Sequence, residues 1–264
     1  MTNSQDVAAS TSTSIHAQQG EAQPALVLVN LGTPTAPEPG PVRAFLREFL
    51  SDRRVIEMSP LLWKPILEGI ILRVRPREVA AKYRSIWMEE GSPLMHYTRE
   101  QARRLGERLP GVRVEVAMRY GQPSIGSVLD CLHADGVRRV AILPAYPQYA
   151  ASTVTTINDA VAQWIGRNRD GFEMRLHRSF PAAPAYIEAL ATALERHWER
   201  VGRPNFLTGD RVVVSFHSIP VAMDEAGDPY RAECRHTVAA LESRLGLAMG
   251  SLTATFQSVF GRAQ

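Results

Sequence analysis

A single histidine follows a stretch that is predicted to be a buried strand. Residues 212–216 carry three consecutive valines and a phenylalanine, and a continuous apolar run of this kind is typical of a strand buried on both faces. His217 then stands at the C-terminal end, the edge at which open parallel α/β sheets bind ligands. A neutral imidazole there can accept a proton or ligate a divalent metal. A lone histidine is more often a hydrogen-bonded structural residue, but this position favours a chemical role.

The neighbouring residues exclude two common kinds of site. Ser215 and Ser218 flank the histidine without the Gly-x-Ser-x-Gly pattern of hydrolases, so no nucleophile is predicted. Gly32 follows the first apolar run alone, and the G-x-G-x-x-G pattern of dinucleotide-binding proteins is absent. Asp228 is placed to cap a helix whose first residue is Pro229, and this position explains it without a catalytic role.

A second candidate site lies in the most apolar internal stretch, residues 61–73. It is either a core helix or an apolar lip over a flat hydrophobic ligand, because large exposed apolar patches usually mark binding sites. Arg73, Arg75 and Arg77 accompany it. They are either a solvated face or, beside an apolar lip, forked donors that hold ligand carboxylates.

The elements that must hold these residues alternate between strand and helix. Buried strands are predicted at residues 25–31, 112–121, 140–143, 172–180, 212–216 and 252–256. Helices are predicted at residues 42–50, 78–87, 98–109, 124–134, 152–166, 184–201 and 229–245. This alternation predicts parallel, right-handed βαβ units and an α/β fold.

Length, charge and cysteine content limit the class of protein to which the chain can belong. The 264 residues are 45% hydrophobic and suffice for two modest domains. The formal charge is only +3 and the arginines form no basic block, so no nucleic-acid partner is predicted. Cys131 and Cys234 have no metal-ligand spacing and are predicted to be reduced thiols in a cytoplasmic protein.

Two segments bear on targeting and membranes. Residues 1–23 are rich in Ser, Thr, Gln and Ala without apolar periodicity, which predicts a disordered tail and no signal peptide. Residues 61–74 are too few and too polar to span a bilayer, which takes about 20 apolar residues. No transmembrane helix is predicted, and peripheral contact with a membrane stays open.

Short motifs in a fixed order resemble one known family. They are Asn30-Leu31-Gly32-Thr33-Pro34, Ser51-Asp52 within residues 45–55, Gly91-Ser92-Pro93-Leu94 after residues 83–87, Met118-Arg119-Tyr120-Gly121, Tyr146-Pro147-Gln148-Tyr149, Ser215-Phe216-His217-Ser218-Ile219-Pro220, Gly227-Asp228-Pro229-Tyr230 and Gln257-Ser258. Together they resemble the ferrochelatase family from about residue 25 to the end of the chain. Eight matches in order are far more specific than any one of them.

The resemblance implies an enzyme and a fold. Ferrochelatases insert Fe²⁺ into protoporphyrin IX and release two protons, the terminal step of haem synthesis. The implied fold class is α/β, with two Rossmann-like, chelatase-type domains, each built on a parallel sheet, and the porphyrin in the cleft between them. We assign the first domain and the porphyrin lip to residues 24–166, and the second, whose sheet is incomplete, to residues 167–264. No bound cofactor is expected, because Fe²⁺ is a substrate.

The resemblance also assigns roles to particular residues. His217 matches the family histidine that ligates iron, accepts pyrrole protons, or does both. Leu31 resembles a residue that faces the porphyrin. Tyr83 and Tyr149 resemble residues of the cleft, with packing as their alternative role.

The anionic groups of the porphyrin imply basic partners at the mouth of the cleft. By position these are Arg75 or Arg77, together with Arg119. An apolar slot with arginines at its mouth agrees with a lip at residues 61–73.

The chain departs from the family pattern at two places. Val259 stands where the family usually has a basic residue after Gln257-Ser258. The family motif also continues through a tryptophan beyond Gln264 and through a segment that carries the acidic partner of the histidine. Because a divalent-metal site depends on several ligands and their surroundings, we expect these 264 residues alone to be inactive or very weakly active.

Two other interpretations of the function stay open. One is a porphyrin- or haem-binding remnant that keeps the cleft wall without turnover. The other is a related chelatase that prefers coproporphyrin or cobalt.

Overall fold

A computed structural model describes residues 23–258 of the chain. The tail predicted at residues 1–23 falls outside the described residues except for Gln23, and so does Val259. Within the described range the predicted α/β class with parallel sheets is confirmed. Four strands form one parallel sheet and two strands form another.

The strands are β1 (Ala25–Gly32), β2 (Arg113–Tyr120), β3 (Arg139–Pro144), β4 (Glu173–Leu176), β5 (Val212–His217) and β6 (Leu252–Gln257). The helices are α1 (Pro39–Leu50), α2 (Pro60–Ile66), α3 (Leu72–Ile86), α4 (Pro93–Arg108), α5 (Ile125–Ala134), α6 (Thr156–Arg167), α7 (Pro184–Val201), α8 (Val221–Glu225) and α9 (Tyr230–Arg244). No helix in residues 23–258 combines the length and the apolar character needed to cross a membrane.

The first sheet has the strand order β2-β1-β3-β4. Val27 and Val29 on one face of strand β1 have no exposed surface and Leu28 on the other face is also buried, as expected for a strand covered on both faces. Strand β2 lies on one side of β1 and β3 on the other, so the direction of winding reverses at β1. The carboxyl ends of β1 and β3 therefore flank a topological switch point, where open α/β sheets bind ligands.

Helices α5 and α6 bury their apolar sides against this sheet. Leu129 and Leu132 of α5 and Trp164 of α6 have no exposed surface. The indole N–H of Trp164 donates to Oδ1 of Asp130 at 2.7 Å, which satisfies the one polar atom of the buried ring. This core supports the sheet behind the switch point.

The second sheet pairs β5 with β6, and burial along β5 differs from the prediction. Val212, Val214 and Phe216 pack against the core formed with α7 and α9, whereas Val213 is 59% exposed and His217 is exposed. The prediction of a strand buried on both faces is therefore wrong for the described residues. Composition alone does not distinguish the two cases, because an apolar run suits either one covered face or two.

The strand predicted at residues 172–180 is shorter and belongs to the first sheet. Strand β4 pairs with β3, from Glu173 beside Arg139 to Leu176 beside Ile142. The boundary predicted at residue 166 puts this strand in the second domain, whereas the structure makes it the edge of the first sheet. The strand's own pattern carries no information on this point, because the pairing partner is distant in sequence.

Residues 60–86 form one continuous helical segment, which corrects the prediction of a helix that begins only at residue 78. Helix α2 passes through a π-helical turn, Leu67–Ile71, directly into α3. Pro65 and Pro76 lie inside these helices rather than ending them. Single π-helical turns of this kind interrupt helices locally and occur often at functional sites.

Candidate active site

The carboxyl end of β1 comes very close to the end of β2. Leu31 is half-buried there, and Gly32 after it has a φ of 111°. A Cβ atom on Gly32 would lie 1.8 Å from the carbonyl oxygen of Tyr120, so only glycine fits. Leu31 is thereby held beside the switch point, and its contact with a porphyrin stays a prediction.

Asp52, in the loop after α1, accepts hydrogen bonds from two other segments, β2 and α6, and from its own loop. Its Oδ2 accepts hydrogen bonds from Nη2 of Arg119 at 2.5 Å and from the hydroxyl of Tyr120 at 2.9 Å. The hydroxyl of Thr156, the first residue of α6, donates to the same oxygen. Its Oδ1 accepts the backbone N–H of Arg54 at 2.8 Å. These bonds hold the loop after α1 against the ends of β2 and α6.

The donors decide the charge of Asp52. Burial raises the pKa of this carboxyl, but hydrogen bonds from Thr156, Arg54 and Tyr120 and the charge of Arg119 together outweigh it, so the pKa lies below its ordinary value. Burial raises the pKa of the Tyr120 hydroxyl far above its ordinary value. At neutral pH Asp52 is therefore an anion and Tyr120 a neutral donor.

Arg119, a predicted partner of anionic ligand groups, has two of its five N–H donors committed within the protein. Its Nε donates to the carbonyl oxygen and Oγ1 of Thr156 at 2.9 and 2.6 Å, and its Nη2 donates to Asp52. Its guanidinium also lies 4.4 Å from the centre of the Tyr120 ring. A contact with a ligand carboxylate stays a prediction. The N–H groups of Arg119 that do not bind Thr156 or Asp52 would make it.

A polar cleft of about 890 Å³ opens beside this cluster. Asp52, Arg53, Arg54 and Arg119 line it together with Asp159 of α6. Nε of Arg54 and Oδ2 of Asp159 form an ion pair at 2.9 Å, and both side chains are nearly half exposed. The volume is that of a small-molecule pocket, which runs from about 300 to 1,000 Å³.

His217 stands at the end of β5 with its side chain exposed, beside Gln257 of β6. The next residue, Ser218, donates its backbone N–H to the carbonyl oxygen of Gln257 at 2.8 Å. The end of β5 is thus held against β6 while the imidazole is accessible. Within residues 23–258, no three His, Cys, Asp or Glu side chains are grouped so that they could hold a metal ion.

Tyr149 lies between β3 and α6, where the two halves of the chain meet. Its hydroxyl is hydrogen-bonded to Oγ1 of Thr155 at 2.5 Å, and its backbone N–H donates to Oε2 of Glu233 in α9 at 2.7 Å. The guanidinium of Arg178 lies 4.5 Å from the centre of its ring. Tyr149 is therefore held by groups from both halves, and its contact with a porphyrin stays a prediction.

The apolar stretch at residues 61–73 is exposed rather than a core helix. Leu61, Leu62 and Ile70 are 87%, 66% and 58% exposed, whereas Leu67 and Leu72 face inward and are buried. An exposed apolar surface of this kind favours the lip over the core helix as the interpretation of the segment.

Arg75, Arg77 and Tyr83 project from the same helical segment. Both arginines are exposed on α3. Tyr83 is half-buried in an edge-to-face contact with Trp87, with the ring centroids 6.1 Å apart. Burial raises the pKa of the Tyr83 hydroxyl. These three residues lie on the lip helix rather than among the residues lining the polar cleft, and their contacts with a porphyrin stay predictions.

The sequence did not predict the long-range hydrogen bonds of two acidic residues. Asp52 lies in one of the quoted motifs, but nothing local indicates that its partner Arg119 is 67 residues away. Asp228 was explained as a helix cap, and one of its oxygens does accept the N–H of Tyr230 at 3.0 Å. The other oxygen accepts the N–H of Ala151 at 2.8 Å, a contact across 77 residues that no local pattern indicates.

Comparison with known proteins gives a consistent result. A family model described as Ferrochelatase matches residues 23–264. A ferrochelatase of Methylibium petroleiphilum is 47% identical over 253 residues, which cover 94% of this chain and 68% of that protein. A ferrochelatase of an Azoarcus species is 45% identical over 252 residues, with the same two coverages. Ferrochelatase 1 of Shewanella oneidensis is 45% identical over 244 residues, covering 90% of this chain and 72% of that protein.

The similarity to a solved structure is much weaker. SirB from Bacillus subtilis with Fe³⁺ aligns with a TM-score of 0.49 and 12% identity, covering 91% of this chain and 68% of that chain. A similarity at this level carries no argument.

Proposed function

This chain belongs to the ferrochelatase family and is a metal chelatase, and we propose that it inserts Fe²⁺ into protoporphyrin IX to form protohaem, the last step of haem synthesis. The observation that carries the proposal is the position of His217, an exposed imidazole at the carboxyl end of a strand in a chain that matches the family throughout. A base at that edge suits a reaction in which two pyrrole protons must leave.

In this proposal the porphyrin lies between the exposed lip and the strand ends. Leu61 and Leu62 offer the apolar surface that a flat macrocycle requires. Leu31, Tyr83 and Tyr149 contact the macrocycle. The lip side chains are exposed in the protein alone, so covering a porphyrin removes their apolar surface from water and stabilises the complex.

The propionates are met by arginines. Arg75 and Arg77 are exposed on the lip helix, from which a guanidinium can offer two parallel N–H groups to a carboxylate. Arg119 contributes through the N–H groups that Asp52 and Thr156 leave uncommitted.

The reaction exchanges two protons for one metal ion. The two pyrrole N–H bonds break, each electron pair stays on its nitrogen, and the resulting dianion takes up Fe²⁺ to give a macrocycle core without net charge. His217 accepts the pyrrole protons one at a time and passes each to solvent, because its side chain is exposed and an imidazole readily both takes up and releases a proton. In its neutral form the same imidazole can ligate the incoming iron.

We propose that the protein works in the cytoplasm and contacts a membrane peripherally through the lip. Leu61, Leu62, Ile70 and Val74 support the membrane contact, because each is an exposed apolar side chain on the helical segment that also carries Arg75 and Arg77.

Porphyrin binding and metal insertion can be measured separately on the 264-residue chain. A titration followed at the Soret band gives the Kd of protoporphyrin IX, and an anaerobic assay with Fe²⁺, or with Zn²⁺ as a stable substitute, gives the rate of insertion. Binding with insertion supports the proposal. Binding without insertion agrees with the expectation that these residues alone are inactive or very weakly active and favours a porphyrin-binding protein, and an absence of binding contradicts both.

The variant His217→Ala tests the role of the histidine. We expect it to abolish any insertion that the unsubstituted protein catalyses and to leave the porphyrin Kd nearly unchanged. His236→Ala, at an exposed position on α9, is the matched control and should change neither quantity. Insertion that survives in His217→Ala would show that the histidine is structural.

Initial rates with different substrates test the proposed specificity. Protoporphyrin IX should react faster than coproporphyrin, and Fe²⁺ faster than Co²⁺. The reverse order in either comparison would identify a different chelatase.

A further inference from the structure

The loop after β3 contains backbone donors that its own strand cannot satisfy. Pro144 and Pro147 interrupt it, and Gln148 and Ala150 within it are buried. Buried backbone N–H groups require acceptors. The backbone N–H groups of Tyr149 and Ala151 find theirs in Glu233 of α9 and in Asp228, two residues before that helix.

One face of α9 meets the loop. Glu233 and Thr237 are four residues apart and therefore neighbours on the helix surface. Oε2 of Glu233 accepts the N–H of Tyr149 at 2.7 Å, and Oγ1 of Thr237 accepts Nε2 of Gln148 at 2.8 Å. Consecutive loop residues are thus bound to consecutive turns of the helix.

Glu233 is a buried carboxylate whose two oxygens both have donors. Besides Tyr149, it accepts Nη1 of Arg178 at 2.6 Å and the hydroxyl of Ser179 at 3.2 Å. The same Arg178 lies over the Tyr149 ring. Glu233 therefore holds both the backbone of Tyr149 and the cation above its ring, through charge-assisted bonds that are stronger than neutral ones.

Asp228 binds two different parts of the protein with its two oxygens. Oδ1 accepts the N–H of Tyr230 at 3.0 Å, which starts α9. Oδ2 accepts the N–H of Ala151 at 2.8 Å, where the π-helical turn before α6 begins. The helix start accounts for the first bond only, and the second joins the two halves.

Tyr230 continues this connection to the strand-end histidine. Its ring packs against that of Phe256, with the ring centroids 6.5 Å apart, and the rings of Phe256 and Phe216 in β5 have centroids 6.0 Å apart. The path from Ala151 through Asp228, Tyr230 and Phe256 therefore reaches Phe216, the residue directly before His217.

We propose that Asp228 and Glu233, named here the acidic clamp, are positioning residues that set the distance between His217 and the loop after β3, which carries Tyr149. The proposal rests on the proposed function, because porphyrin binding is what gives this distance a chemical meaning. Each carboxylate acts through Tyr149, Ala151 or Tyr230. If the clamp is loosened, porphyrin binding must also bring the end of β5 and the loop after β3 into place. The free-energy cost of this ordering lowers the affinity.

The test compares carboxylates of the same helix and similar burial. Glu233→Ala removes a clamp residue, and Glu242→Ala is the matched control, because Glu242 is also buried on α9 and also accepts a backbone N–H, that of Leu252 at 2.8 Å, within the second half. Asp228→Asn is a milder change. The asparagine keeps one acceptor oxygen, so the N–H of either Tyr230 or Ala151 loses its hydrogen bond. Thermal unfolding of each variant gives its Tm.

Porphyrin binding is the first readout. We expect Glu233→Ala and Asp228→Asn to weaken protoporphyrin IX binding about tenfold, as expected for the loss of a hydrogen bond to a charged group. Glu242→Ala should lower the Tm and leave the porphyrin Kd unchanged. An equal loss of affinity in Glu233→Ala and Glu242→Ala, or unchanged affinity in Asp228→Asn, overturns the proposal. If Glu233→Ala does not fold, Asp228→Asn decides.

Amide hydrogen exchange without porphyrin is the second readout. Both clamp variants should speed exchange in the segment 145–156, and Asp228→Asn should also speed it around residue 217, whereas Glu242→Ala should not. If the unsubstituted chain binds no porphyrin, the proposed function is wrong. The exchange data alone then decide whether the clamp joins the loop after β3 to the end of β5. Unchanged exchange in both clamp variants overturns the clamp itself.

Discussion

Nη2 of Arg119 lies 2.5 Å from Oδ2 of Asp52, and the two side chains are only 17% and 9% exposed. The pair joins the end of β2 to the loop after α1. Tyr120 of β2 and Thr156 of α6 donate to the same carboxylate, so three segments depend on one anion. The position of Arg119 at the cleft is therefore a consequence of Asp52.

Removing this anion should destabilise the protein strongly. Asp52→Ala leaves the Arg119 guanidinium mostly buried without its charged acceptor, and we expect the free energy of unfolding to fall by about 3 kcal/mol. Urea denaturation at neutral pH measures it. Asp159→Ala is the control on the same cleft, because its pair with Arg54 is 43% and 46% exposed and should contribute less than about 1 kcal/mol. Similar losses in both variants would contradict the prediction.

The stabilisation by Asp52 should disappear in acid. Its pKa is lower in the folded protein than in the unfolded chain, where it is about 3.9, so the unfolded chain binds the proton more readily. The contribution is complete above the unfolded pKa and is lost as the pH falls through the folded pKa. The difference in unfolding free energy between the protein and Asp52→Asn should therefore be constant from neutral pH to about pH 5 and shrink below it. A difference that does not change with pH would show that Asp52 is not bound as an anion.

Gly32→Ala should disrupt the contact between the ends of β1 and β2. The new Cβ would lie 1.8 Å from the Tyr120 carbonyl oxygen, at a φ of 111°, and we expect a loss of about 3 kcal/mol in the free energy of unfolding. Gly166→Ala in α6 is the control, because apart from its chain neighbours and the nearby backbone of its own helix no atom lies within 4 Å of the added Cβ, and it should stabilise the protein by about 0.5 kcal/mol. A folded Gly32→Ala variant of ordinary stability would show that the two strand ends can separate.

A polar residue on the lip should weaken porphyrin binding without unfolding the protein. Leu61 is 87% exposed, so Leu61→Ser should leave the Tm unchanged and raise the Kd of protoporphyrin IX about fivefold, which corresponds to part of the apolar surface of one leucine. Leu207→Ser is the control, since Leu207 is 98% exposed and lies outside the lip. Equal effects of both variants on the Kd would argue against a porphyrin at the lip.

Local pattern alone predicted the elements that carry the site. The helix expected at residues 184–201 is α7, Pro184–Val201, and the strand expected at residues 25–31 is β1, Ala25–Gly32. His217 lies at the end of β5 as expected. These features follow from periodicity, proline placement and apolar runs, which depend on neighbours a few residues apart.

Tertiary structure decided which of these elements meet. It put β4 at the edge of the first sheet, left one face of β5 exposed, exposed the lip, and gave Asp52 and Asp228 partners 67 and 77 residues away. The sequence around each carboxylate indicates at most a turn or a helix cap. A hydrogen bond to a distant residue depends on how strands and helices pack in three dimensions, and this information is carried by no short segment.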